Sequence, residues 1–315
     1  MTDFILFNKL AEMNREMTPE RLFHEKGVGA YGKFILYMPF SDYTKADFLN
    51  NSELSTEVFV RFSRALGRRG SAETARDIRG MAVKFFTDGG EYDLICQNMP
   101  IFCINEAKKF PELYQALRPE NGLSHDRQKF WEFVGDNPES IHLILWLFSN
   151  KGTIKSYRYM EAYSVNTYLW RNADGKAFYV RYQWSPLIGV KNISSQEAEF
   201  LAGYDPDSLT NDLYNAIESG IYPEYELSVQ LIPQSIAKEF SFDVLDKTLF
   251  WPERACPHIK VGKLTLNKLP SNFHDEVEMS YLSPSNIVPG IEIPEDDMLA
   301  LMCFAHDDGY RNRRR

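Results

Sequence analysis

Apolar and polar residues fall along this chain in two periods. Residues 32–40 "GKFILYMPF", 58–63 "VFVRFS", 80–87 "GMAVKFFT" and 91–97 "EYDLICQ" are β-branched and aromatic runs bounded by Gly, Asp and Asn, which predicts four strands. "TDGGEY" places a hairpin turn between the last two. Helical spacing then takes over in 105–117 and 126–149, where Asn137 followed by Pro138 and Glu139 supplies an N-cap and a proline at the first helical position. A second strand group follows at 164–171, 177–184, 225–232 and 258–267, with "NADG" at 172–175 as a tight turn and two short helices in 195–219. Two sets of four strands with inserted helices, and few continuous apolar runs of the parallel type, predict an antiparallel α+β barrel over a doubly wound sheet. The closing stretch reads as one more helix, with Pro294, Glu295, Asp296 and Asp297 at its start and Arg311 to Arg315 at its end. Met298, Met302, His306 and Tyr310 recur on it at four-residue spacing and share one face.

No repeat or Gly/Ser-rich linker divides the 315 residues, so residues 1–315 are expected to form a single domain with a core large enough to enclose a cofactor. A net charge of -9 argues against a nucleic-acid or anionic-membrane partner. The N-terminus lacks a basic region followed by an apolar core, and the longest apolar run, "LILWLF", is far too short to span a bilayer. A soluble, cytoplasmic protein is expected. Cys96, Cys103, Cys256 and Cys303 form no CxxC pair, which leaves no indication of a zinc site or redox dithiol. His125, His142, His258 and His274 have no ligand spacing and are assigned no chemistry.

Long ordered segments carry a family likeness. "PERLFHEKGVGAYGKF" (19–34), "VRFSRALGRRGSAETARDIRGMAVKFFT" (60–87), "YDLICQNMPIFCINEAKKFPEL", "NADGKAFYVRYQW" and "VGKLTLNKLPSNFHDEVEMSYLSPSNIVPGIE" resemble the haem catalase family, in order and over nearly the whole chain from Pro19. The resemblance implies a catalase-like eight-stranded antiparallel β-barrel with inserted and flanking helices enclosing a haem. It makes His24 the distal histidine and Ser63 the group that orients it. Arg21, Arg61 and Arg313 become partners of the haem propionates, and Phe110 an aromatic contact. A histidine there can take a proton from a peroxide and return it to the leaving oxygen. The haem is expected as non-covalent haem b, since no CxxCH motif exists. A homo-oligomer is expected from the resemblance. NADPH is not, because family members that use it carry further sequence after the ligand helix.

Four positions depart from the family pattern. Gln97 stands where an asparagine normally accompanies the distal histidine, and Phe23 replaces a small residue just before it. A ring at Phe23 should narrow or reshape the space over the iron. His306 stands where a tyrosine phenolate normally binds iron, and Met302 where an arginine normally sits one turn earlier. The last two changes are mutually consistent: a phenolate gains from a nearby cation, whereas a neutral imidazole needs none. His306 is therefore the expected axial ligand. Tyr310 as the ligand after a one-turn shift, a thiolate from Cys303, and a satisfied core histidine in a protein without haem remain open. The expected function is a catalase-related haem oxidoreductase acting on peroxide or an organic hydroperoxide, of peroxidase or peroxygenase type with weak catalase activity. Two alternatives stand beside it: a specialised haem enzyme that dehydrates or cleaves fatty-acid hydroperoxides or activates O2, and a non-catalytic haem-binding protein.

Overall fold

The computed structural model describes residues 3–117, 119–120, 124–125 and 127–314. Its centre is a closed antiparallel barrel. Strands β1 (Gly27–Leu36), β2 (Ser55–Arg64), β3 (Arg79–Thr87) and β4 (Gly90–Gln97) pair in sequence. Strand β5 follows in two pieces, Ala162–Tyr163 and Tyr168–Arg171, both paired to β6 (Ala177–Pro186). Strands β7 (Glu224–Pro233) and β8 (Ile259–Lys268) complete the ring, with β8 paired back to β1. Eight antiparallel strands with flanking helices are the expected architecture.

Alternation sorts each strand into two faces. Val58, Val60 and Phe62, then Met81, Val83 and Phe85, then Tyr92, Leu94 and Cys96 point into one apolar cluster inside the barrel with Trp170, Tyr182 and Trp184. At Gly32, where β1 shifts register, a Cβ would lie 2.1 Å from the Thr265 carbonyl oxygen, so only glycine lets β8 approach there.

Among the described residues seven α-helices flank the barrel: α1 (Phe4–Met17), α2 (Phe110–Leu117), α3 (Arg127–Asp136), α4 (Ile141–Phe148), α5 (Ser195–Tyr204), α6 (Ser208–Glu218) and α7 (Asp297–Arg313). The sequence reading assigned no helix over 4–17. A second apolar cluster joins α1, α2, α4 and α7 through Leu10, Phe110, Leu143, Met298 and Leu301. Phe7 packs on Phe304 at 4.7 Å, and Asn14 donates to the Ala305 carbonyl at 3.1 Å, which ties α1 to α7. Helix α7 begins three residues after the expected proline: Asp296 is the N-cap, accepting from the Leu299 N–H, and it also pairs with the buried Lys247. Segment 126–149 is two helices, because Pro138 opens a 3-10 turn between α3 and α4.

Candidate functional site

The outward faces of β2, β3 and β4 form the floor of a cavity. Cross-strand pairing lays Arg61, Ala82 and Ile95 in one row and Ser63, Gly80 and Gln97 in the next, and all six line it. The N-terminal segment supplies Arg21, Phe23 and His24. Helices α2, α3 and α4 supply Phe110, Phe133 and Leu143, and α7 supplies Met302, His306 and Arg313. Residues from both ends of the sequence thus meet over one patch of sheet.

His24 sits at φ 60°, a left-handed conformation that histidine adopts more readily than most residues. Its backbone is held on both sides: its N–H donates to the Ala65 carbonyl at 3.1 Å, and Arg61 donates to its carbonyl at 2.9 Å. Its Nδ1 lies 2.9 Å from Ser63 Oγ. A hydroxyl can donate or accept, so this contact survives a change of tautomer in the ring. Burial, with Arg61, His306 and Arg21 nearby, lowers the imidazole pKa to about 3, which keeps the ring neutral. Gly80 was not singled out from sequence. A Cβ on it would stand 2.7 Å from Ser63 Oγ and 2.9 Å from His24 Nδ1, so the histidine–serine pair exists only above a glycine.

Gln97 lines the cavity with its donors already committed. Its Nε2 donates to the Ile101 carbonyl at 2.7 Å and the Met99 carbonyl at 3.4 Å, leaving only the amide oxygen for another group. Phe23 meets Phe110 and Tyr114 edge-on, with ring centroids 6.0 and 5.7 Å away, and walls off the space beside His24.

On α7, Met302 and His306 face the cavity together. His306 Nδ1 lies 2.9 Å from the Leu282 carbonyl oxygen. A carbonyl only accepts, so Nδ1 carries the proton and Nε2 keeps its lone pair; among the described residues Nε2 has no hydrogen-bond partner. Burial lowers this imidazole's pKa as well. Met302 receives the Asn166 amide at 3.6 Å. Tyr310 is not among the lining residues; it stacks on Tyr281 at 4.5 Å. Helical geometry explains this, since each four-residue step drifts by about 40° and the face chosen from sequence rotates away. Cys303 packs against the barrel core, and burial pushes its thiol up to about 12. The side chain of His125 and all of Arg315 lie outside the described residues.

The three arginines carry the cavity's electrostatics. Burial lowers the pKa of each, and Arg61 falls to about 10. Arg21 and Arg61 both feel Arg313 as a repelling charge. Glu278 is the acid near all three, and it bonds Arg69 at 2.9 Å. The Nη groups of Arg21 and Arg61 donate to backbone carbonyls, and among the described residues the buried Nε atoms of Arg21, Arg61 and Arg313 have no hydrogen-bond partner. Buried cations that repel one another need an anion. A flat apolar ring bearing two carboxylates, as in haem, meets these demands: carboxylates for the guanidinium groups, aromatic and aliphatic walls for the ring, and an unprotonated nitrogen for the metal. Among the described residues no cluster of three or more His, Cys, Asp and Glu could hold a bare metal ion instead.

A closed antiparallel barrel with a cavity against its outer wall, lined by arginines, aromatic rings and two histidines, is the class of architecture these residues build. Comparison supplies the family. The Catalase family profile matches residues 1–314, and the chain belongs to that family. It is 42% identical to Catalase-2 of Bacillus subtilis over 98% of its own length and 46% of the relative's. It is 43% identical to a catalase of Methanosarcina barkeri over 99% and 62%, and 42% identical to a bromoperoxidase-catalase of Streptomyces venezuelae over 99% and 65%. The crystal structure of a fungal catalase superposes with a TM-score of 0.91 at 37% identity, covering 99% of this chain and 63% of that one. The chain therefore spans about half to two thirds of the length of the relatives it matches.

Proposed function

We propose that this chain is a haem-dependent oxidoreductase that consumes a hydroperoxide, in which His306 would supply the protein ligand to the haem iron and oxidation of a second substrate outpaces disproportionation of hydrogen peroxide. The observation that carries the reading is the His306 Nδ1 contact to the Leu282 carbonyl, which leaves a neutral imidazole with Nε2 free in a cavity that also holds a neutral His24. Arg21, Arg61 and Arg313 would hold the two haem carboxylates, and Phe110 and Met302 would pack on the ring. Bound haem would supply redox-active iron for cleavage of the O–O bond. His24 would take the hydroperoxide proton at Nε2 while its Nδ1–H donates to Ser63 Oγ, then return it to the departing oxygen. Gln97 would act as an acceptor through its amide oxygen, since its N–H groups face backbone carbonyls. Phe23 would exclude water beside His24.

A second reading follows the relatives' names: disproportionation of hydrogen peroxide, as for the proteins called catalases. One pair of measurements separates the two. The ferric haem-loaded protein should show imidazole ligation by EPR and no phenolate charge-transfer absorption, and with hydrogen peroxide it should oxidise an added donor faster than it releases O2. Tyrosinate features, or O2 release that dominates, would overturn the first reading and leave the second.

A further inference from the structure

His306 takes its orientation from the carbonyl of Leu282, a residue in the loop "YLSPSN" at 281–286. That loop is bolted to the next residue of α7. Asp307 Oδ1 accepts from Tyr281 Oη at 2.8 Å, Ser283 Oγ at 2.6 Å and Ser285 Oγ at 3.1 Å, and Oδ2 is 3.2 Å from Ser285 Oγ. The loop's other side is fixed to β4: Asp93 Oδ2 accepts from the Ser283 N–H at 2.9 Å and Asn286 Nδ2 at 2.7 Å, while Lys84 neutralises Asp93 at 3.0 Å. Tyr281 also stacks on Tyr310, one turn beyond His306. A half-buried carboxylate in mid-helix that collects three hydroxyls from one loop does nothing for the helix itself, which needs no side-chain acceptor there. What it fixes is the distance between the loop's Leu282 carbonyl and the adjacent ring.

We propose that Asp307 is a positioning residue: with Tyr281, Ser283 and Ser285 it clamps the 281–286 loop to α7, so that the Leu282 carbonyl holds His306 in the Nδ1–H tautomer with Nε2 presented to the cavity. The metal-binding consequence rests on the reading of His306 as axial ligand; the clamp itself is independent of it. Partners that fix the second nitrogen of a ligand histidine set both its tautomer and its ring angle. In this chain that task falls to a carbonyl on a loop, and a loop holds a carbonyl still only if it is itself held. Without Asp307 the loop keeps its Asp93 anchor and the Tyr281–Tyr310 contact but loses the three hydroxyl ties that fix it to the helix. The ring then gains freedom to turn and to place its proton on Nε2, the form that offers the cavity no lone pair at that atom.

The test reads the ring directly. In this chain with histidine labelled by 15N, the His306 signal of the haem-free form should show a single Nδ1–H tautomer. Asp307→Ala should give a mixture, with exchange of the Nδ1 proton at least about tenfold faster, the scale expected for losing charge-assisted hydrogen bonds. Asp307→Asn keeps an accepting oxygen and should fall between. A triple variant, Tyr281→Phe with Ser283→Ala and Ser285→Ala, leaves α7 untouched and should match Asp307→Ala, so the test stands if one variant folds poorly. With haem bound, both variants should shift the iron–histidine stretching band. An unchanged tautomer and exchange rate in both variants would overturn the clamp, even with imidazole ligation seen in the wild type. Tautomer loss in the variants of a protein whose haem shows no imidazole ligation would instead overturn the ligand reading and leave the clamp standing.

Discussion

His24 combines features that a surface histidine never has together: a left-handed backbone, an arginine on its carbonyl, a hydroxyl on Nδ1 and a glycine beneath the ring. Each restricts the imidazole, and together they leave Nε2 as its working atom. Replacing His24 with Ala should lower hydroperoxide turnover by about a hundredfold or more, the usual scale for a positioned acid–base group, with haem content unchanged. Gly80→Ala tests the same pair from below, since the added methyl displaces His24 or Ser63. Turnover should fall by at least about tenfold, a modest share of that acid–base contribution, while the far-ultraviolet circular dichroism of the barrel stays the same. The depressed pKa also has a thermodynamic signature. The folded chain keeps His24 neutral down to about 3, whereas the unfolded chain binds its proton near 6.5, so the unfolded state holds more protons between these values. Stability of the haem-free protein should therefore fall as pH drops below about 6.5, and His24→Gln should flatten that slope in urea titrations at pH 7 and 5.

Helix α7 is the element on which the proposed chemistry turns, and a buried charge pair guards its start. Lys247 is fully buried against Asp296, which also caps the helix. Lys247→Met should cost about 3–5 kcal/mol, the price of stranding a buried carboxylate, and should loosen haem binding; thermal denaturation with and without haem measures both. Along the same helix, His306→Tyr should introduce phenolate absorption but load haem poorly. Adding Met302→Arg should recover loading by more than the two single effects predict, because these side chains line the cavity as a pair. Most of the elements were legible in the sequence. Six of the eight barrel strands fall within three residues of their expected places because alternation survives wherever one face is buried, while β1 runs four to five residues earlier than expected. The eighth misled: Ser164 to Thr167 reads as strand, yet it is the break in β5, where Val165 adopts φ 55° and Asn166 enters the cavity wall. A β-branched residue in a left-handed conformation is held there by tertiary context that no local pattern encodes. Helix α1 was overlooked because its polar residues hide a narrow apolar stripe at Leu6, Leu10 and Met13. His24, Ser63 and the three arginines were found by likeness. The Gln97 commitments and the Leu282 carbonyl were not, because backbone acceptors carry no side-chain signature.

At the scale of the molecule, the cavity is an electrostatic defect awaiting a ligand. Arg61 is buried and Arg21 and Arg313 are half-buried, the Nε atoms of all three have no hydrogen-bond partner among the described residues, and Glu278 is the one carboxylate that offsets all three. Haem should therefore stabilise the fold strongly: at a thousandfold excess over its dissociation constant the gain is about 4 kcal/mol, seen as a rise in melting temperature that depends on haem concentration. Mesoporphyrin dimethyl ester, without the carboxylates, should give a much smaller rise.

Barrel closure also sets a timetable. Strand β1 pairs with β8, more than two hundred residues later, and His24 and His306 from the two ends of the chain line one cavity. Contacts of such sequence separation form late and slowly. The two imidazoles are then assembled by the final act of folding, and a nascent chain offers haem only half a seat until synthesis has passed α7. Pulse-labelled hydrogen exchange should find the amides near Leu282 and His306 gaining protection in step with the β1–β8 seam, so that the acquisition of haem marks the completion of the fold and not its beginning.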